Sequence, residues 1–250
     1  MKLAALIFDL DGTIAETEEI HRQAFNYAFR KAGLNWYWSR LLYGDLLSVT
    51  GGKERIRYFI DQYSPAFPKL DRLTEFIADL HQAKTEKFHE TLLSGCIPLR
   101  PGVKRLVQEA REAGVHLGIA TTTTASNVTI LLETSLDAAA PGWFDVIAAG
   151  NVVPRKKPAP DIYEYALKAM GADPGSCLAI EDSENGLRAS LGAGLKTVVT
   201  TNQYTQAHDF SGACLVLDHL GEPNQAATAS VGQLAANTYV DLKELALLLD

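Results

Sequence analysis

The sequence predicts an α/β protein: a parallel β-sheet with helices on both faces, joined to a smaller all-helical domain. Three observations predict it. Short apolar strand signals alternate with helical patterns from about residue 92 onward, and that alternation requires crossover helices and a parallel sheet. Residues 16–91 interrupt the alternation with helical patterns alone. The chemistry-bearing residues sit where apolar runs stop, the edge at which open α/β sheets bind ligands. Bulk composition agrees. The chain has 250 residues, 47% hydrophobic and 21% charged, enough for a large core and a small second domain. A net charge of −7 argues against nucleic acid or an anionic membrane as partner, and no apolar run approaches the ~20 residues that cross a bilayer. A monomer is expected. The first strand begins with no signal segment before it, so the expected location is the cytoplasm, or the plastid stroma for a mature chain. Cys96, Cys177 and Cys214 are too few and too scattered for a disulfide framework or a zinc site. They read as unreactive thiols in a reducing compartment.

Taken in order, strand signals fall at Leu3–Asp9, Val115–Thr121, Asp145–Ala149, Cys177–Glu181 and Lys196–Thr200, with a weaker one at Cys214–Leu217. Residues 101–113 open with Pro101 and close before Gly114, the usual helix punctuation. Residues 159–170 and 183–192 also read as helices. Within the insertion, Glu18–Ala32, Lys53–Gln62 and Leu70–His89 are helical, and Leu92–Gly102, with Gly95, Pro98 and Pro101, reads as the return hinge. Gly221–Asn237, rich in Ala, Gly, Gln and Thr, reads as a loop, and Tyr239–Leu249 as a last helix.

The run Ala5–Phe8 stops at Asp9 and Asp11, two carboxylates spaced i, i+2 ahead of Gly12-Thr13. Like charges side by side resist ionising together without a cation, so the pair asks for a hard, oxygen-liking ion such as Mg2+. Thr121-Thr122-Thr123-Thr124 closes the second strand; hydroxyls and N–H groups there, ahead of a helix near Ala125, suit a phosphate. Lys156-Lys157-Pro158-Ala159-Pro160-Asp161 follows the third strand, and Glu181-Asp182-Ser183 ends the fourth. Each has a plainer reading: a capped turn, solvated surface, a helix cap, acids favouring a helix dipole. Together, the plainer readings have to place every polar group at one sheet edge by chance.

These residues resemble, in order, the four motifs of the haloacid dehalogenase superfamily: Asp9-Leu10-Asp11-Gly12-Thr13, Thr121, Lys157-Pro158 and Glu181-Asp182. The resemblance spans essentially the whole chain. It implies a Rossmann-like core domain of residues 1–15 and 92–250, and a C1-type cap of residues 16–91. Lys-Pro-x-Pro-Asp and Glu-Asp-Ser resemble the sugar phosphatase and β-phosphoglucomutase branch. Ala15–His21, Thr50–Ile56 and Ile119–Thr123 look like the CbbY-type phosphatases, which remove phosphate from xylulose 1,5-bisphosphate, an inhibitor of Rubisco.

The resemblance implies a Mg2+-dependent sugar phosphatase of the Calvin cycle. Asp9 is then the nucleophile, Asp11 the general acid and base, and Thr121 and Lys157 hold the transferring phosphoryl group. Metal donors are Asp9, the Asp11 carbonyl, Glu181 and Asp182, and Thr122 and Thr123 add N–H groups. A bisphosphate needs a second cationic site, and Gly52, Lys53 and Arg55 at a helix start supply one; the same residues also read as an exposed helix face. Glu18, His21 and Tyr43 are candidates for sugar hydroxyls or the distal phosphate, while His21 and Tyr43 equally suit a core. Three alternatives stand beside this reading: a phosphosugar mutase, a phosphatase for another sugar phosphate, and a non-catalytic binding protein with the same fold.

Overall fold

The structure, a computed structural model, describes residues 3–67, 71–95, 97–234 and 238–249. The chain opens with β1 (Ala5–Phe8) and leaves for four helices: α1 (Glu18–Lys31), α2 (Arg40–Leu46), α3 (Gly52–Tyr63) and α4 (Leu73–Leu93). It returns through α5 (Val103–Glu112), β2 (His116–Thr121), α6 (Ala125–Ser135), β3 (Val146–Ala149), α7 (Asp161–Met170), β4 (Cys177–Glu181), α8 (Glu184–Gly192), β5 (Lys196–Thr200), β6 (Leu215–Leu217), β7 (Ala229–Val231) and α9 (Leu242–Leu247). Two compact units result, one of residues Met1–Glu16 and Ile97–Asp250, the other of Thr17–Cys96.

The first unit is built on one seven-stranded sheet in the order β3-β2-β1-β4-β5-β6-β7. Strands β1 to β6 run parallel, and β7 joins the edge antiparallel. β1 lies inside the sheet with its four residues fully buried, as a strand covered on both faces must be. Register fixes the site: Phe8 pairs with Ile119 of β2 and Ile180 of β4. Asp9 and Glu181 come next on their strands and Thr121 one residue later on β2, so all three lie at the carboxyl edge. Small residues Ala5, Ala120, Ala148 and Ala179 line the face on which Ile162, Tyr163 and Ala166 of α7 pack. Helix α5 buries Val103, Leu106, Val107 and Ala110, the i, i+3, i+4, i+7 spacing of one helical face.

Buried Arg100 ties loop ends across this unit. It donates to the carbonyls of Thr201 (2.7 Å) and Asp218 (2.6 Å) and pairs with Glu16.

The second unit packs an aromatic core. Trp38 lies 4.6 Å from Phe25 and 4.9 Å from Phe29 between ring centroids, and Trp36 sits edge-on to Phe59 at 5.4 Å. Tyr37, between the two tryptophans, points outward.

The structure corrects the sequence reading in four places. Helix α2 was not expected; it is short, contains Gly44, and is started by the Ser39 hydroxyl accepting from Leu42 N–H at 3.2 Å. Helix α4 runs on to Leu93, into the segment expected as hinge, because Leu92 is buried on its inner face. Leu70, the expected start, lies outside the described residues, as does Cys96. The segment Gly221–Asn237 is not only loop, since β7 pairs with Val216 and Leu217. Three exposed residues at a sheet edge are too short a run for alternation to reveal a strand; Ala235, Ala236 and Asn237 lie outside the described residues. The last helix is shorter than expected, Leu242–Leu247, capped by Asp241 accepting from Glu244 N–H at 2.8 Å. Among the described residues, no helix is long and apolar enough to cross a membrane. Cys177 and Cys214 are free, and burial pushes both thiols up.

Candidate active site

At the carboxyl edge of β1 and β4, three carboxylates converge: Asp9, Glu181 and Asp182 each offer an oxygen within 4.8 Å of the others. All three are buried. The buried Lys157 ammonium, 148 residues from Asp9 in sequence, donates to Asp9 Oδ1 and Glu181 Oε1, both at 2.6 Å. Three carboxylates face one ammonium, which leaves a deficit of two positive charges. Burial, with the neighbouring acids, pushes the Asp9 carboxyl up to about 8, although Lys157 pulls the other way. Burial by itself would lower Lys157, but Asp9 and Glu181 outweigh it and hold the ammonium firmly charged. An all-oxygen donor set short of two charges is what a hard divalent cation satisfies.

Local sequence explains each position. Glu181 Oε1 also accepts from the hydroxyl of fully buried Tyr163 at 2.6 Å, and Oε2 from Asp182 N–H at 3.2 Å. Glu181 is thus an anchor for Lys157. Gly186, in the first turn of α8, allows this: a Cβ there would overlap the Glu181 carboxylate. Ser183 caps the same helix, accepting from Gly186 N–H at 3.2 Å. Asp182 accepts from buried Asn202 Nδ2 at 2.7 Å. Gly12, at φ +83°, turns the chain after Asp11, and any side chain there would strike Asp182 Oδ2. Asp11 is half-buried in that turn. Thr121 is buried, its hydroxyl accepting from Thr123 N–H at 3.2 Å. Thr123 accepts from Asn127 Nδ2 at 2.7 Å, and Thr124, not Thr123, caps α6. Thr122 is half-buried beside them.

In the helical unit, the candidates divide. Arg55 Nη1 donates to the Tyr43 hydroxyl at 3.0 Å, which donates to Glu18 Oε2 at 2.9 Å. Arg55 Nε donates to Leu46 and Val49 carbonyls at 3.1 and 3.3 Å. Tyr43 is fully buried, so its hydroxyl orients Arg55 and Glu18. His21 stands apart: its Nδ1 accepts from buried Lys84 at 2.7 Å while its ring stacks on Phe88 at 3.9 Å. Gly52 lies against the His81 ring, with no room for a side chain. Lys53, expected with Arg55, lines a groove of about 490 Å³ with Glu54, Arg57 and Asp61 instead. Positions i and i+2 on a helix face different ways.

Tyr163, Asn202 and Lys84 escaped the sequence reading. Asn202 follows the carboxyl end of β5, so the strand-end rule applied to the Lys196–Thr200 signal points at it. Tyr163 and Lys84 sit in apolar helix faces and carry no such mark.

A family model for haloacid dehalogenase-like hydrolases matches residues 3–194. The chain is 46% identical over 243 residues to the plasmid-encoded protein CbbY of Cupriavidus necator, covering 97% of this chain and 95% of that one. It is 47% identical over 236 residues to CbbY of Rhodobacter capsulatus, covering 94% and 100%. A crystal structure of a CbbY mutant from Rhodobacter sphaeroides in complex with xylulose-(1,5)bisphosphate superposes with a TM-score of 0.82 at 45% identity, covering 89% of this chain and 96% of that one. Fold, ordered motifs and near-full-length identity agree: the chain belongs to the haloacid dehalogenase-like hydrolase family and, within it, to the CbbY proteins.

Proposed function

We propose that this protein is a magnesium-dependent phosphatase that converts xylulose 1,5-bisphosphate to xylulose 5-phosphate. The observation that carries the reading is the Lys157 ammonium, 2.6 Å from both Asp9 and Glu181 at the sheet's carboxyl edge. The CbbY relatives, one of them bound to this sugar bisphosphate, supply the substrate. Phosphate monoesters hydrolyse so slowly that acceleration up to ~10²¹-fold is called for, and positioning with charge cancellation must provide most of it.

Asp9 attacks phosphorus in line, forming the Asp9 O–P bond as the sugar O–P bond breaks. Asp11 gives its proton to the departing sugar oxygen. Water then attacks the aspartyl phosphate, Asp11 takes the water's proton, and phosphate leaves with Asp9 regenerated. Lys157 offsets charge on Asp9 and the transferring oxygens throughout, while Thr121 and the N–H groups of Thr122 and Thr123 hold those oxygens. Asp9, the Asp11 carbonyl, Asp182 and Glu181 would hold magnesium, which neutralises the crowded acids and polarises the phosphoryl group. In this reading the helical unit is the cap: it excludes water before chemistry, and Arg55 meets the second phosphate. Glu18 takes sugar hydroxyls.

The test is phosphate release across pentulose and hexose mono- and bisphosphates, with magnesium and with a chelator. Xylulose 1,5-bisphosphate should be the fastest substrate, and chelation should abolish the activity reversibly. No release from that bisphosphate with magnesium present overturns the substrate. Full activity under chelation overturns the metal.

A further inference from the structure

We infer that Asn202 is a positioning residue for the metal carboxylate Asp182, an inference that rests on the metal-dependent reading above. Asn202 lies outside all four motifs, two residues beyond β5, and is buried. Its amide orientation is overdetermined. Tyr204 N–H can only donate, and it reaches Asn202 Oδ1 at 2.9 Å, so Nδ2 is the atom facing Asp182 Oδ2 at 2.7 Å. The backbone of Asn202 is held as well, its N–H donating to the buried Thr205 hydroxyl at 3.0 Å.

A carboxylate on one Cβ swings freely about its Cβ–Cγ bond unless something stops it. Here Asn202 takes Oδ2, and the backbone at Gly12 crowds the same oxygen so closely that a Cβ would overlap it. One oxygen pinned from two sides fixes the plane of the group, and so fixes how Asp182 presents its carboxylate to Asp9 and Glu181. The donor is neutral. It orients Asp182 without cancelling its charge, whereas a lysine in that place would compete with the cation. Outer hydrogen-bond partners of this kind commonly set metal affinity by ~10–100-fold. The amide of Asn202 thus does for Asp182 what Tyr163 and Lys157 do for Glu181, with no added charge.

The test compares Asn202→Ala with Thr205→Ala, reading two quantities: the magnesium concentration that gives half the metal-induced rise in Tm, and the one that gives half-maximal phosphatase activity. Thr205→Ala loosens the same turn but leaves the amide–Asp182 bond in place. In Asn202→Ala both magnesium midpoints should rise at least ~10-fold, with kcat at saturating magnesium largely regained. Thr205→Ala should lower Tm without moving either midpoint. Asn202→Ser, polar but too short to reach Asp182, carries the same comparison if the alanine variant does not fold. Midpoints equal to the parent in the Asn202 variant, or shifted alike in both variants, overturn the positioning role while leaving the metal reading intact. A parent that gains neither stability nor activity from magnesium overturns the metal reading, and this inference with it.

Discussion

Compare the acid cluster of the sheet unit with the Glu18–Tyr43–Arg55 chain of the helical unit. The first joins groups 148 and 24 residues apart through Lys157; the second joins groups 25 and 12 residues apart. In the first, three buried acids confront one ammonium, and the imbalance shows as an Asp9 carboxyl pushed up to about 8 by burial and its acidic neighbours. In the second, one carboxylate and one guanidinium bracket a neutral hydroxyl, and the charges balance. Sheet register can hold an unfavourable charge crowd in place because the surrounding core is rigid and close-packed. A chain of helix-borne side chains has no comparable frame and is satisfied internally. The sheet cluster is therefore poised to demand a cation, and the helical chain to orient a cationic side chain.

The hardest test of that contrast is Asp9→Asn. Shape is kept and the proposed nucleophile is lost, so turnover should fall more than about 10⁴-fold while unfolding stays cooperative. Substantial turnover from a pure preparation would remove Asp9 as nucleophile. Lys157→Met comes next. It strands buried Glu181 and Asp9 without their counter-ion, which costs about 3–5 kcal/mol in stability and about 10²–10³-fold in kcat. Denaturant titration measures the first, and parental stability in this variant breaks the picture of a charge crowd held by one ammonium. In the helical unit, Arg55→Ala should raise KM for a sugar bisphosphate by about 10–100-fold, the loss of a hydrogen bond between charged groups. A sugar monophosphate should be little affected; equal loss on both takes Arg55 out of distal recognition. A comparable effect, on stability rather than on binding, belongs to Tyr163→Phe. The ring stays packed 5.0 Å from Lys157 Nζ, only the bond to Glu181 goes, and stability should drop by about 1.5–3 kcal/mol. No change in unfolding midpoint would mean that Glu181 needs no help from the hydroxyl.

Most of the sheet was legible because its strands are short apolar runs with sharp ends. Cys177–Glu181 and Lys196–Thr200 match their sequence ranges residue for residue. β7 and α2 were not, since three exposed residues and a seven-residue helix with an internal glycine carry no period long enough to read. The acid pairs, Lys157 and the threonines were legible as motifs because they stand at strand ends in a fixed order. Asn202 and Tyr163 were not. An asparagine in a loop and a tyrosine in an amphipathic helix are ordinary in those places, and only their neighbours in space make them matter.

The sequence alone determined the alternation of strands and helices, the helical insertion and the polar residues closing each strand, because period and punctuation are local properties of a chain. Tertiary structure alone decided that Lys157 bridges Asp9 and Glu181, that Asp182 leans on Asn202, and that Lys53 parts from Arg55. Those outcomes depend on strand register and on which face a helix buries, and both are settled by packing between residues far apart in the chain.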